Sequence, residues 1–249
     1  AHARWWPKLP DAAHARGFLS WSSFGHVMGL GLAMPNLPAK VHLDAARFVA
    51  NPLSWLEALD STGATHATMT NFGMSLVLRA VAENPGRRWR VEHVRKIGIG
   101  AEPSSRGTCG GFLACLMEFG LRDDALILGY GLSECGPVVG GGISFSADDP
   151  GDADTPPQLD RPTSGHAVRI VDEAGRLLQE GDAGRIEVCG PTMTTGYPGD
   201  DEATEALFTP DRWLRTGDLG FLCDGRLTVV GREKELIIQQ GRKFHPYDI

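Results

Sequence analysis

The sequence predicts an α/β fold: a parallel-sheet layer with helices, followed by a small antiparallel or barrel-like β subdomain. Three observations predict it. From Gly17 to about Gly136, apolar runs short enough for buried strands alternate with segments of helical period, as in a sheet covered by crossover helices. The texture then changes at Gly140-Gly141-Gly142 and in the acidic, proline-containing stretch Ala147 to Pro162, which reads as a surface loop. Beyond it, short alternating segments and one strong hairpin signal read as strands.

Taken in order, Ser54-Trp55-Leu56-Glu57 has the spacing of a capping box, in which the serine and glutamate side chains reciprocally satisfy the first backbone N–H groups of a helix. Met74, Val77, Leu78 and Val81 recur at helical spacing, and so do Phe112, Cys115, Leu116 and Phe119. Val94 to Ile99 and Ala125 to Leu128 read as strands running into glycines, where an α/β layer carries its functional loops. In the second part, Val168 to Val171 and Arg185 to Cys189 read as strands, with a turn at Asp172 to Gly175. Asp224-Gly225, between Phe221-Leu222-Cys223 and Leu227 to Val230, supplies the positive backbone angles of a two-residue hairpin. No internal repeat is visible.

Composition narrows the function. The 249 residues are 42% hydrophobic, enough for a well-packed core. With 24 Lys plus Arg against 31 Asp plus Glu, the formal charge of −7 repels polyanions, so no nucleic acid is expected as a partner and any phosphate site must be local. Five widely spaced cysteines without a C-x-x-C pair argue against a disulfide framework or a zinc cluster and favour a cytoplasmic setting. No apolar run approaches the roughly 20 residues of a membrane-spanning helix. The chain opens with Ala1 rather than Met and has no signal-peptide pattern, so a piece of a longer polypeptide is expected.

The most informative segment is Leu128-Gly129-Tyr130-Gly131-Leu132-Ser133-Glu134-Cys135-Gly136. A flat ring can stack on a base, a hydroxyl can bond phosphate, and a carboxylate can hold the magnesium that neutralises phosphate charge. The segment resembles the Tyr-Gly-(Leu)-(Ser/Thr/Ala)-Glu motif of the adenylate-forming superfamily, which includes acyl-CoA synthetases, luciferases, peptide-synthetase adenylation domains and fatty-acyl-AMP ligases. The resemblance implies that Tyr130 and Gly131 lie at adenine, Ser133 at phosphate and Glu134 at the metal. Read alone, Glu134 would be a solvated residue at a strand end.

Further motifs occur in the family's order. Gly98-Ile99-Gly100-Ala101-Glu102-Pro103 resembles the Gly-Ala-Glu-Pro turn, so Gly100, Ala101 and Glu102 are expected at the nucleotide. Gly184 to Gly190 followed by Thr195-Gly196-Tyr197 is similar to a Gly-Glu-(Ile/Leu)-x-Val-x-Gly…Gly-Tyr segment, with Arg185 where Glu is usual, and reads as scaffold. Arg215-Thr216-Gly217-Asp218 resembles the Arg-Thr-Gly-Asp motif, which makes Asp218 the ribose ligand, since two carboxylate oxygens can accept from two neighbouring hydroxyls. Gly231 to Ile249 is similar to the fatty-acyl-AMP ligase run Gly-Arg-x-Lys-(Asp/Glu)-Leu-Ile-Ile-x-x-Gly-Arg-Asn-x-x-Pro-x-Asp-Ile, with Lys243 replacing Asn. It implies that Arg232 meets ribose or phosphate and that Lys234 lies at the hinge of a following domain. Near the start, Ser20 to Leu30 resembles Ser-Trp-Leu-Pro-x-x-His-Asp-Met-Gly-Leu, with Val27 replacing Asp, so His26 is expected beside the acyl carboxylate. Thr70-Asn71-Phe72 resembles Pro-Asn-Phe, so Phe72 and Met74 are expected at an acyl tunnel, although both also suit core packing.

The resemblance implies that 1–139 is the second half of an α/β adenylate-forming subdomain, 140–231 a small β subdomain, and 232–249 the hinge leading to a further domain. It also implies a parent ligase that uses ATP and Mg2+ to activate a carboxylic acid, most often fatty, and hands it to an acyl carrier protein. A Thr-Ser-Gly-Ser-Thr-Gly phosphate loop does not occur in the sequence, so this chain alone is expected to be inactive. An acyl-CoA synthetase, an amino-acid adenylation domain and a non-catalytic remnant or interaction module are the alternatives.

Overall fold

The computed structural model describes residues 17–21, 40–139, 144–148, 151–235, 237–239 and 242–244. The chain forms two compact units, Ala1–Leu128 with Gly141–Thr155, and Gly129–Gly140 with Pro156–Ile249.

The first unit is built on a five-stranded sheet of strands β1 (Phe18–Ser20), β2 (Lys40–His42), β3 (His66–Met69), β4 (Lys96–Ile99) and β5 (Leu126–Leu128), in the order β2-β1-β3-β4-β5. Every neighbouring pair is parallel. Strands in such a sheet are covered on both faces, which is why Leu126-Ile127-Leu128 is uninterruptedly apolar and buried. The helices are α1 (Ala45–Ala50), α2 (Leu53–Thr62), α3 (Asn71–Ala82) and α4 (Arg106–Met117). Phe48, Trp55, Leu56, Met74, Phe112 and Leu116 are fully buried, and the Trp55 and Phe112 rings lie 6.0 Å apart. A buried charge, Lys96, lies within this core. Lys96 donates to the Asp124 carbonyl at 2.6 Å and to Ser144 Oγ at 3.1 Å, so its ammonium is satisfied rather than stranded.

The capping box expected at Ser54 to Glu57 does not form. The helix starts at Leu53, after Pro52, with no side-chain cap; Ser54 lies inside the first turn and its buried Oγ has no partner among the described residues. The proline is responsible: its ring fixes φ near the helical value, here −60°, and nucleates the turn before the serine. Glu57 instead pairs with Arg87 at 2.7 Å. By contrast, α3 has a side-chain cap, because Thr70 Oγ1 accepts from the Gly73 N–H at 3.1 Å. Thr70→Ala should therefore lower stability by about 1 kcal/mol, seen as an earlier urea midpoint with an unchanged slope; an unaltered midpoint would show that the cap contributes nothing.

The second unit begins with a hairpin of β6 (Tyr130–Leu132) and β7 (Gly136–Val139). The sequence alone puts the boundary after residue 139, whereas the compact units divide after Leu128. The hairpin belongs with the second unit because Thr192, Thr194, Tyr197 and Asp218 all hydrogen-bond to it. The main sheet is antiparallel, with β8 (Ala167–Val171), β9 (Gly184–Cys189), β10 (Leu214–Cys223) and β11 (Arg226–Arg232) in the order β11-β10-β9-β8. Ile170, Ile186, Val188, Leu214 and Leu227 form its core. Asp224 and Gly225 have φ of 52° and 71°, the positive angles expected at the β10–β11 turn. A short helix α5 (Asp201–Leu207), a 3-10 turn (Glu233–Glu235) and a two-stranded pair, β12 (Ile237–Gln239) with β13 (Arg242–Phe244), complete it.

The stretch from Ala147 to Pro162 is not loop surface throughout. Residues 151–155 are exposed, and there the carbonyls of Thr155 and Ala153 accept from the N–H groups of Arg106 and Gly107 at the amino end of α4. Pro157 and Leu159 are buried, and the Leu159 N–H donates to the Leu227 carbonyl at 2.8 Å. An isolated leucine among acids and prolines has no periodicity to announce such packing. Among the described residues no helix is long and apolar enough to cross a membrane.

Candidate functional site

In the second unit, the expected nucleotide and metal residues converge on β6 and its following turn. Asp218 is their anchor. It lies on β10 opposite Arg232 on β11, at a point where the register of β10 against β9 shifts between Arg215 and Leu219. Gly217 makes that irregularity possible, since its φ of +73° is a conformation side-chain-bearing residues avoid. Thr216 Oγ1 accepts from the Asp218 N–H at 3.0 Å and donates to the Ile186 carbonyl at 2.8 Å, which fixes the aspartate's backbone.

Both Asp218 oxygens accept from the protein. Tyr130 Oη donates to Oδ2 at 2.6 Å, and Arg232 Nε donates to Oδ1 at 2.9 Å. The carboxylate is buried, 7% exposed, whereas the arginine is 57% exposed. Burial, followed by the Asp218 charge, holds the Tyr130 hydroxyl well above its usual pKa, so it stays a donor. An ionised carboxylate oxygen can accept more than one hydrogen bond, so a clamped Asp218 can still receive hydroxyls. Chemically this is a fixed, negatively charged acceptor suited to a vicinal diol.

The turn after β6 carries Ser133, exposed, and Glu134, half-buried. A segment read from sequence as scaffold holds this turn. The Thr194 N–H donates to the Glu134 carbonyl at 2.6 Å, Thr192 Oγ1 donates to the Cys135 carbonyl, and Tyr197 Oη donates to Glu134 Oε1 at 2.7 Å. Thr192 is held in turn by His166, whose ring contacts Thr192 Oγ1 at 2.7 Å and Thr163 Oγ1 at 2.9 Å. Tyr197 is a candidate site residue that the motif alone marks only as scaffold, because the phenol and the carboxylate are 63 positions apart. The Gly196-Tyr197 pair was visible, but nothing in linear spacing pointed it at Glu134.

Magnesium is commonly held by one or two carboxylates together with substrate phosphates. Glu134 fits that mode, with one oxygen oriented by Tyr197 and the other bearing no donor among the described residues. Among the described residues there is no cluster of three acidic, histidine or cysteine side chains for an all-protein cage. The neighbouring Cys135 is no rival ligand or nucleophile, since burial pushes its thiol up to about 12.

Arg232 leads directly into the 3-10 turn that carries exposed Lys234. Arg185, which stands where the resemblance has glutamate, donates through Nε to Glu233 Oε1 at 2.9 Å and so ties β9 to that turn. Arg169 pairs with Glu187 and Asp211, both at 2.7 Å, and lies over the Trp213 ring. These pairs line one cleft, and in each the acid offsets the arginine's charge, which suits a scaffold rather than an anion site.

In the first unit, Gly100-Ala101-Glu102-Pro103 leaves the end of β4 as a turn. Glu102 Oε1 accepts from the Phe72 N–H at 2.5 Å. Phe72 is 51% exposed at the start of α3, while Met74, two residues on and rotated to the other face, is fully buried in the core. His26 lies outside the described residues.

Tyr130, Asp218 and Arg232, which the resemblance to adenylate-forming enzymes assigns separately to adenine, ribose and ribose or phosphate, are thus joined in one hydrogen-bonded cluster. The profile of the family described as AMP-binding enzyme matches residues 2–198, and the chain belongs to that family. It is similar to 4-hydroxyphenylalkanoate adenylyltransferase of Mycobacterium marinum, with 31% identity covering 97% of this chain and 44% of the relative. It is also similar to the medium-chain-fatty-acid–[acyl-carrier-protein] ligase JamA of Moorena producens, with 30% identity over 92% of this chain and 45% of the relative. Among solved structures, the adenylation domain of a keto acid-selecting peptide-synthetase module bound to keto acyl adenylate superposes with a TM-score of 0.81 at 30% identity, covering 96% of this chain and 49% of that one. The chain spans about half or less of the length of the relatives it matches.

Proposed function

We propose that these residues are part of an enzyme that activates a carboxylic acid with ATP. A carboxylate oxygen of the acid attacks the α-phosphorus, the bond from that phosphorus to the bridging oxygen breaks, and pyrophosphate leaves. The acyl-adenylate then loses AMP when a thiol attacks its carbonyl. The observation that carries the reading is Asp218, buried and held by Tyr130 and Arg232 across adjacent strands.

In this reading Asp218 receives the ribose hydroxyls and Tyr130 and Gly131 meet adenine, while Gly100, Ala101 and Glu102 are the first unit's own candidates for nucleotide contact. Arg232 stands close enough to Asp218 to meet the ribose or phosphate as well. Ser133 bonds phosphate. Magnesium, when bound, neutralises phosphate charge, and Glu134 would hold it. Lys234 marks the hinge of a following domain. Phe72 offers an exposed apolar ring to the acyl chain, and His26 is the other expected acyl-side residue, whereas Met74, fully buried in the core, serves packing instead.

The acid is fatty and the acceptor is the phosphopantetheine thiol of an acyl carrier protein, in the cytoplasm. The ending Gly241-Arg242-Lys243-Phe244-His245-Pro246-Tyr247-Asp248-Ile249 supports this branch, as does the similarity to a ligase whose name specifies a carrier protein. Full-length enzyme incubated with ATP, a fatty acid, coenzyme A and a pantetheinylated carrier protein should load the carrier protein and leave coenzyme A largely unacylated. Efficient acyl-CoA formation would overturn the acceptor assignment and promote an acyl-CoA synthetase.

A further inference from the structure

We propose that Glu102 is a positioning residue: its carboxylate ties the turn after β4 to the amino end of α3, so that one side chain sets both the backbone seat for the nucleotide and the placement of Phe72 on the acyl side. The inference rests on the adenylate-forming reading above.

The turn needs holding. Ala101 has φ of +74°, a left-handed conformation that costs a non-glycine residue on the order of 1 kcal/mol or more. The first N–H groups of a helix lack intrahelical partners and carry partial positive charge, so a carboxylate there is favoured. Thr70 already serves the Gly73 N–H, and Glu102 takes the Phe72 N–H. Two further bonds join the same pieces. The Gly100 N–H donates to the Met69 carbonyl at 3.3 Å, and the Ser105 N–H donates to Asn71 Oδ1 at 3.4 Å. The Glu102 bond, at 2.5 Å, is the shortest of the three and the only one with an ionised partner. It follows immediately on the strained residue, so its loss frees Ala101 to relax and α3 to shift at Phe72. A side chain that touched only one substrate would alter binding of that substrate alone; this one should alter both.

The test is carboxylate-dependent ATP–pyrophosphate exchange by full-length enzyme, comparing Glu102→Ala, Glu102→Gln and Phe72→Ala. Glu102→Ala should raise the apparent KM for ATP and for the acid together, each about tenfold for loss of one charge-assisted bond, with a smaller change in kcat. Glu102→Gln should recover most of both, because its amide oxygen can accept the same N–H. Phe72→Ala should move the acid KM alone. A lowered melting temperature with both KM values unchanged would reduce Glu102 to a helix cap and overturn the proposal. So would a change in the ATP KM only, which would make it a direct nucleotide contact, or a glutamine variant no better than alanine. Absence of exchange in the unsubstituted enzyme with every acid tried would overturn the adenylate-forming reading itself, and is recognised without any variant.

Discussion

Asp218→Ala should reduce kcat/KM for ATP by roughly a hundredfold or more while leaving the ranking of acyl chains unchanged. Two ribose hydroxyls donating to an ionised oxygen contribute about 1.5 to 3 kcal/mol each, and about 1.4 kcal/mol is a factor of ten. The substitution also leaves the Tyr130 hydroxyl without its 2.6 Å acceptor, so part of the loss will come from a tyrosine that no longer holds its place. The Arg232 contact adds little, because the arginine is largely exposed and screened. Asp218→Asn separates these contributions. Its amide oxygen can keep one of the two existing bonds, so folding should be closer to that of the unsubstituted enzyme while ATP use remains impaired. An unchanged ATP KM and unchanged turnover in the alanine variant would refute the ribose assignment.

Much of the fold was legible because it rests on local pattern. Buried parallel strands leave uninterrupted apolar runs such as Leu126 to Leu128, and the Asp224-Gly225 turn is dictated by two positive φ angles. Motif order likewise pointed to Tyr130, Glu134, Asp218 and Arg232, three of which meet directly in one cluster. What sequence could not supply was competition and distance. Ser54 lost its capping role to a proline two positions earlier, whose fixed φ outweighs a side-chain hydrogen bond that the serine could have made. Leu159 is buried by a strand hairpin more than sixty residues away, and Glu102 finds its partner on a helix thirty residues earlier. Tyr197 is the sharpest case: an aromatic in a loop is ordinary, and only the fold brings its hydroxyl to a carboxylate.

That last contact makes the role of Glu134 testable without disturbing its surroundings. Glutamine at this position keeps an oxygen for the Tyr197 hydroxyl, and the backbone bond from Thr194 is indifferent to the side chain. Shape is therefore retained and only the negative charge is removed. If that charge holds magnesium against the phosphates, Glu134→Gln should lower exchange turnover by roughly a hundred- to a thousandfold, the range for removing one preorganised electrostatic group from an active site. It should also raise the magnesium concentration required for nucleotide binding, measured by titrating the metal against a fluorescent ATP analogue. Tyr197→Phe makes the complementary change, leaving the charge but freeing the carboxylate to rotate. Partners that orient a metal ligand are typically worth about 10- to 100-fold in affinity or activity, so its effect should have the same sign and be smaller. The melting temperatures of both variants should stay near that of the parent, since Tyr197 is exposed and Glu134 only half-buried. Normal magnesium dependence in Glu134→Gln would remove the glutamate from the metal site. A larger defect in Tyr197→Phe than in Glu134→Gln would shift the chemistry to the phenol, because a residue that acts through a carboxylate cannot matter more than the carboxylate itself.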